Sequence, residues 1–386
     1  MLGARALIAA RLGLGKRLAG TPTGLTRRQC LRSLPKATYA SGQGLAYGGE
    51  NEIEIRAVVC RNFGGPEVMC IEKKTLPPPG PGQIRVKVGA AGINPSDTYI
   101  LLGPDGPYAG TKLVPELPFT PGKDGAGVIE AVGPGVGPPF RKGERVYMSG
   151  SLTGMFAEYT LCDKATVYQL PNNVTLPEGA GVGVPCATAH RALFTRCGAK
   201  EGDAVFVHGA SGAVGLAAVQ LAVGSGCYPV VGTAGTTAGE DAVRAAGAHT
   251  VINHRSSHYL ETAKNVKPSG YDICLEMMAS SNLSADLSIM GKYGRVAIIG
   301  SKAIPTTINP RSCMPLELDI RGVFLGNATT EELAQTHGAL YSALASSVLV
   351  PPVASQFPLE QAAAAFTEVT TPTQGGSSGN VVIIIE

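Results

Sequence analysis

The sequence predicts an α/β protein in which a doubly wound parallel sheet is joined to a second, mostly β domain. Three observations carry this. An apolar strand at residues 204–208 runs into a glycine turn and at once into a helix. From about residue 177, apolar runs alternate with helical stretches. Before that point, short alternating strands are separated by frequent turn signals.

The turn reads Gly209-Ala210-Ser211-Gly212-Ala213-Val214-Gly215. Gly209 permits the tight turn, Gly212 lets backbone approach a pyrophosphate, and Gly215 lets helix and strand pack closely. The helix N-terminus adds unpaired N–H groups and partial positive charge. Five further strands are expected at residues 229–233, 250–253, 271–275, 295–299 and 318–324. Helices are expected between them at 213–223, 238–246, 259–265 and 285–290. Six parallel strands with helical crossovers make a Rossmann sheet that binds a dinucleotide. Later helices are predicted at 331–347 and 359–369. The apolar run Val381–Ile385 is too isolated for the parallel sheet and is expected to return to the β domain. The predicted division is 1–50 targeting presequence and linker, 51–176 β domain, 177–326 dinucleotide-binding domain, and 327–386 return to the β domain.

The end of the second parallel strand bears on cofactor choice. An NAD site places an acid there for the ribose 2′-hydroxyl. Here the residues are Gly232-Thr233-Ala234-Gly235-Thr236-Thr237, and no acid appears before Glu240. That favours NADP. Thr236, Thr237 and His254 are candidate partners of a 2′-phosphate, with Arg255 following the third strand.

No zinc site is predicted. At Gly122-Lys123-Asp124 there is neither cysteine nor histidine, and residues 51–161 contain only Cys60 and Cys70 as cysteines and no histidine. A tetrahedral cysteine and histidine set cannot be built from them. This points away from metal-assisted alcohol oxidation and toward hydride delivery to a conjugated acceptor. Ser211 lies in a phosphate-type turn and not in a GxSxG nucleophile elbow.

The chain of 386 residues is 44% hydrophobic and 16% charged, enough for two domains with large cores. Its net charge of +3 is uneven. Residues 1–49 hold eight basic residues and no acid, which leaves 24 basic against 29 acidic residues in the body. A mildly acidic body without tryptophan gives little reason to expect nucleic-acid binding. The Arg-rich, acid-free, amphipathic start reads as a transit peptide, mitochondrial or, alternatively, plastid. No segment reaches the ~20 apolar residues of a membrane span. Nine widely spaced cysteines without a CxxC fit a reducing compartment.

Several stretches resemble the zeta-crystallin-like quinone oxidoreductases of the zinc-free medium-chain dehydrogenase/reductase superfamily. They include Asn62-Phe-Gly-Gly-Pro-Glu-Val, Gly92-Ile-Asn-Pro-Ser-Asp-Thr-Tyr, the run at 120–133, Val207-His-Gly-Ala-Ser-Gly-Ala-Val-Gly, Asn253-His-Arg, Leu275-Glu-Met, Asn282-Leu-Ser and Ile308-Asn-Pro-Arg. The likeness runs from about residue 55 to the C-terminus. It implies a GroES-like β domain beside the Rossmann domain, and NADPH-dependent quinone reduction in the cleft between them. Ser211, Gly212, Ala213 and Val214 would line the pyrophosphate, and Gly235 and His254 the adenosine phosphate. Asn282 would lie further along the cofactor. Ile299, Gly300, Ser301 and Lys302 would form one loop, with Val323, Phe324 and Leu325 beside the nicotinamide. Tyr99 would touch the reactive end of the cofactor. Asn94, Asp97 and Tyr99 share one segment and either line the substrate mouth or, for Asn94 and Asp97, only stabilise a turn. The same class includes reductases of enones, 2-alkenals or enoyl thioesters. Some relatives bind AU-rich RNA or serve as structural crystallins. A homodimer or homotetramer is expected by resemblance.

Overall fold

The computed structural model describes residues 51–302, 305–371 and 378–386; the predicted targeting segment lies outside them. The described residues begin with a hairpin of β1 (Ile53–Cys60) and β2 (Met69–Leu76). The main β-domain sheet follows with β3 (Gln83–Ile93), β4 (Asp124–Val132), β5 (Arg145–Ser149), β6 (Tyr159–Asp163) and β7 (Val167–Gln169). Helix α1 (Pro95–Leu101) sits between β3 and β4.

The parallel sheet is built from β8 (Val205–His208), β9 (Val230–Ala234), β10 (Thr250–Asn253), β11 (Tyr271–Glu276), β12 (Met290–Ile298) and β13 (Asp319–Gly322). Its order is β10-β9-β8-β11-β12-β13, so the order reverses between β8 and β11. The crevice outside the strand ends at such a reversal is where ligands bind. β8 lies at the centre and is buried along its whole length, which is why it is an unbroken apolar run up to His208. Helices α2 (Ala213–Gly224), α3 (Thr237–Ala245), α4 (Tyr259–Val266) and α5 (Ala279–Asp286) make the crossovers. Helix α6 (Thr330–Ala345) then packs between the two domains. The chain ends with β14 (Val353–Pro358), α7 (Ala362–Thr370) and β15 (Asn380–Ile384).

The terminal strand returns to the β domain as expected: β15 pairs antiparallel with β3, Val381 opposite Ile93. β14, which has no alternating pattern strong enough to predict it, adds in parallel at the edge. One helix differs from expectation. The fourth crossover helix runs over Ala279–Asp286 and not 285–290, because Met290 already begins β12. Its first turn, Ala279-Ser-Ser-Asn, has weak helix propensity. Ala279 and Leu283 are nonetheless buried, and the Ala279 N–H bonds the Gly300 carbonyl.

The domains share a core. Tyr147 of β5 and Leu170 of the β domain lie in one apolar cluster with Val205 of β8 and Leu340 of α6. At this boundary the Tyr147 hydroxyl lies 2.9 Å from His337 Nδ1, and Tyr168 stacks on the His337 ring at 3.6 Å. Burial drives the His337 pKa down to about 3, so the ring is neutral at physiological pH.

Candidate active site

Gly209 follows β8 with φ +75°, a conformation that favours glycine. Gly215 faces the turn so closely that a Cβ would come 2.6 Å from the Ala210 backbone. Gly212 is the N-cap of α2 and has open space on its outer side, with nothing within 4 Å of where a Cβ would be. Ser211, Gly212, Ala213 and Val214 therefore present a helix N-terminus to an open crevice, which is the arrangement a pyrophosphate needs.

Gly235, between β9 and α3, forms a second cradle. A Cβ there would lie 2.6 Å from His254 Nε2 and 2.9 Å from Arg255 Nε. His254 is steadied by Thr233, whose hydroxyl lies 3.2 Å from Nδ1 and also accepts the Gly209 N–H at 3.0 Å. Burial, with His208 and Arg255 nearby, lowers the His254 pKa. Thr236 caps α3 by accepting from the Gly239 N–H. Glu240, the first acid after β9, accepts from Asn253 Nδ2 at 2.6 Å. The cradle thus has a guanidinium and an imidazole, and the first acid after β9 is engaged by Asn253. These residues fit a 2′-phosphate.

On the other side of the crevice, the Ile299 and Gly300 N–H groups both donate to the Glu276 carbonyl. Ser301 Oγ accepts from the Ser280 N–H, and the Lys302 N–H donates to Ser280 Oγ. The Val323 N–H donates to the Ile298 carbonyl, which carries Val323, Phe324 and Leu325 past the end of β13. Ile299, Gly300, Val323 and Phe324, with Arg191 and Arg196, line a cleft of about 530 Å³. Asn282 donates its amide to Glu276 Oε1 at 3.2 Å. The predicted cofactor residues from both halves of the sheet are thus brought to one edge.

Tyr99, Asn94 and Asp97 belong to the β domain. Tyr99 is half-buried on α1, edge-on to Tyr108 at 5.9 Å. Asn94 and Asp97 are buried and turned inward. The Asn94 N–H donates to Asp97 Oδ2 at 2.8 Å, and Asn94 Nδ2 donates to Asp124 Oδ2 at 2.9 Å. The same Asp124 oxygen accepts the Val184 N–H at 2.8 Å. Burial raises Asp97 to about 6 and Asp124 to about 7. Asn94 and Asp97 therefore build the corner that carries Tyr99, through Asp124.

Four groups were not singled out as site residues by sequence reasoning. Arg255 reaches the β9 turn from the next strand, a proximity that only sheet order reveals. Asp124 looks like a replaced metal ligand in the sequence but works as a buried acceptor. Arg191 and Arg196 come from a helical segment, residues 182–196, interrupted by Pro185. His208 and Glu276 each end an apolar strand, and that polar last position was the available signal.

Residues 80–172 match the alcohol dehydrogenase GroES-like domain family, and residues 213–339 match the zinc-binding dehydrogenase family. A quinone oxidoreductase of Lama guanicoe is 44% identical over 334 residues, covering 86% of this chain and 98% of the relative. The human quinone oxidoreductase is 42% identical over 333 residues, with the same coverage. Among solved structures, the Escherichia coli quinone oxidoreductase complexed with NADPH superposes with a TM-score of 0.72 at 27% identity, covering 86% of this chain and 99% of that one. A mycobacterial protein complexed with NADPH superposes with a TM-score of 0.74 at 26% identity, covering 86% and 99%. The chain belongs to the quinone oxidoreductase family of the medium-chain dehydrogenase/reductase superfamily.

Proposed function

We propose that this protein reduces quinones at the expense of NADPH. The observation that carries the cofactor choice is the cradle at Gly235, where His254 and Arg255 converge and the first acid after β9, Glu240, is bonded to Asn253. The glycine turn and the N-terminus of α2 bind the pyrophosphate, and residues 299–302 and 323–325 wall the nicotinamide end. When bound, NADPH supplies the hydride. Tyr99 offers a hydroxyl at the β-domain side, and reduced quinone oxygens take protons from water. The chain's main task is then to hold acceptor and cofactor in register. Turnover of an ortho-quinone and a para-quinone by the full chain supports this reading. Turnover of only a 2-alkenal or crotonyl thioester moves it to double-bond reduction.

Arg255→Gln is expected to raise the KM for NADPH by about 10- to 100-fold, the worth of one charge-assisted hydrogen bond. The KM for NADH, which has no 2′-phosphate, should change less than threefold. Steady-state kinetics with both cofactors checks it.

Two further properties belong to this proposal. The basic, acid-free first 49 residues direct the protein to the mitochondrial matrix; a fusion of residues 1–50 to a fluorescent reporter tests this by co-localisation. The outer edge of β13, where Ile320 is exposed, pairs with a second copy to extend the sheet. Light scattering of the wild type against Ile320→Pro, which breaks edge pairing, tests that.

A further inference from the structure

Directly beneath the crevice lie three ionisable side chains almost without solvent contact: His208, Glu276 and Asp286, exposed by 2%, 0% and 0%. His208 and Glu276 end the two strands that flank the reversal of sheet order, and they pair in register. Asp286 ends α5. His208 Nδ1 lies 2.7 Å from Asp286 Oδ1 and 3.3 Å from Glu276 Oε2. One ring N–H thus faces two carboxylates. Glu276 Oε2 and Asp286 Oδ2 have no hydrogen-bond partner, although both are buried. Glu276 Oε1 is satisfied by the Met278 N–H and by Asn282 Nδ2.

Two ionised carboxylates at this burial would leave net negative charge in the core, whichever form the imidazole takes. The two carboxyl groups lie within hydrogen-bonding reach of each other, and one proton held between them, with a charged His208, makes the group neutral. The cluster also adjoins the glycine turn, the wall at residues 299–300 and the His254 cradle. His208 precedes Gly209. Glu276 holds Asn282 by its side chain and Ile299 and Gly300 by its carbonyl. The His208 ring lies 5.9 Å from that of His254.

We propose that Glu276 and Asp286 share one proton beside His208, and that this neutral cluster is a positioning device whose deprotonation weakens NADPH binding. Losing the proton sets two like charges against each other and adds negative charge under the anionic cofactor. The other titratable or charged groups facing the cluster are Tyr259 at the start of α4, Cys274 on β11, and His254 and Arg255 after β10. Burial raises both the Tyr259 hydroxyl and the Cys274 thiol, so neither ionises before the cluster. Burial opposes the charge on His208, but its bonds to Asp286 and Glu276 raise it to about 9, and burial and Glu276 raise Asp286 to about 8. Both act in one direction. Protons bound by the folded state are lost as pH rises through this range, so the stabilisation is complete only below the unfolded imidazole and carboxyl values, declines above them, and is gone beyond this range.

The test is NADPH binding to the full chain, followed by cofactor fluorescence from pH 7 to 9.5, with melting temperatures measured at each pH. The wild-type Kd should rise at least fivefold across this range. Asp286→Asn, whose amide donates permanently to Glu276, should cut that alkaline rise to less than half, the remainder being the loss of the His208 proton. Glu276→Gln makes the same replacement from the other side and serves if Asp286→Asn does not fold. A flat wild-type profile, or an alkaline rise of undiminished size in the folded amide variant, overturns the proposal. The inference rests on the reading of the crevice as an NADPH site. Absence of NADPH binding at pH 7 fails that reading, whereas pH-independent binding fails only the shared proton.

Discussion

Gly212→Asp is expected to raise the KM for NADPH by at least about a hundredfold without lowering the melting temperature. The backbone at Gly212, φ −74° and ψ 167°, suits any residue, and open space surrounds its missing side chain. Aspartate is also a preferred helix N-cap, so α2 should be at least as stable as before. The cost falls wholly on the ligand. The carboxylate takes up the N–H groups that a pyrophosphate needs and faces it with like charge. At an effective dielectric of 20, two unit charges 4 Å apart repel by about 4 kcal/mol, which is about three orders of magnitude in affinity. Gly212→Ala, which adds bulk into open space and no charge, should cost less than tenfold. Fluorescence titration with NADPH, beside thermal melts, checks both variants.

Asp124→Ala is expected to destabilise the fold by about 2–6 kcal/mol, since the buried donors Asn94 Nδ2 and Val184 N lose one shared acceptor and each costs about 1–3 kcal/mol unsatisfied. The corner that carries Tyr99 should loosen with it. The loss depends on pH with a definite sign. Burial raises the folded Asp124 pKa to about 7, well above that of an unfolded carboxylate. Its contribution is therefore complete below the unfolded value and declines as pH rises through about 7. The wild-type advantage over Asp124→Ala should be larger at pH 5 than at pH 8. Thermal melts at both values check this, with a drop of roughly 5–15 °C expected at pH 5.

Much of the fold was legible because its strongest elements are local. The run into Gly209, the helix after Gly212 and the strands at 250–253 and 271–276 need only periodicity and turn chemistry. Helix α5 was displaced because its first turn is held by the Gly300 carbonyl and by burial, neither visible in Ala-Ser-Ser-Asn. The sequence assigns no element to the segment 182–196, because Gly181, Gly183 and Pro185 are poor helix formers and its helical form depends on packing against α2 and α6. Site residues set by motif or by resemblance could be named, His254 among them, whereas the contacts that juxtaposition makes could not. Arg255 is 20 residues from Gly235, and Asp286 is 78 from His208, and only the order of parallel strands brings each pair together.

The most direct test of the proposed activity is the ratio of kcat/KM for NADPH over NADH in the reduction of one ortho-quinone by the full chain. The cradle formed by His254 and Arg255 predicts turnover with a ratio of at least about ten. Turnover with a ratio at or below one, or no turnover by protein that binds NADPH, would contradict it.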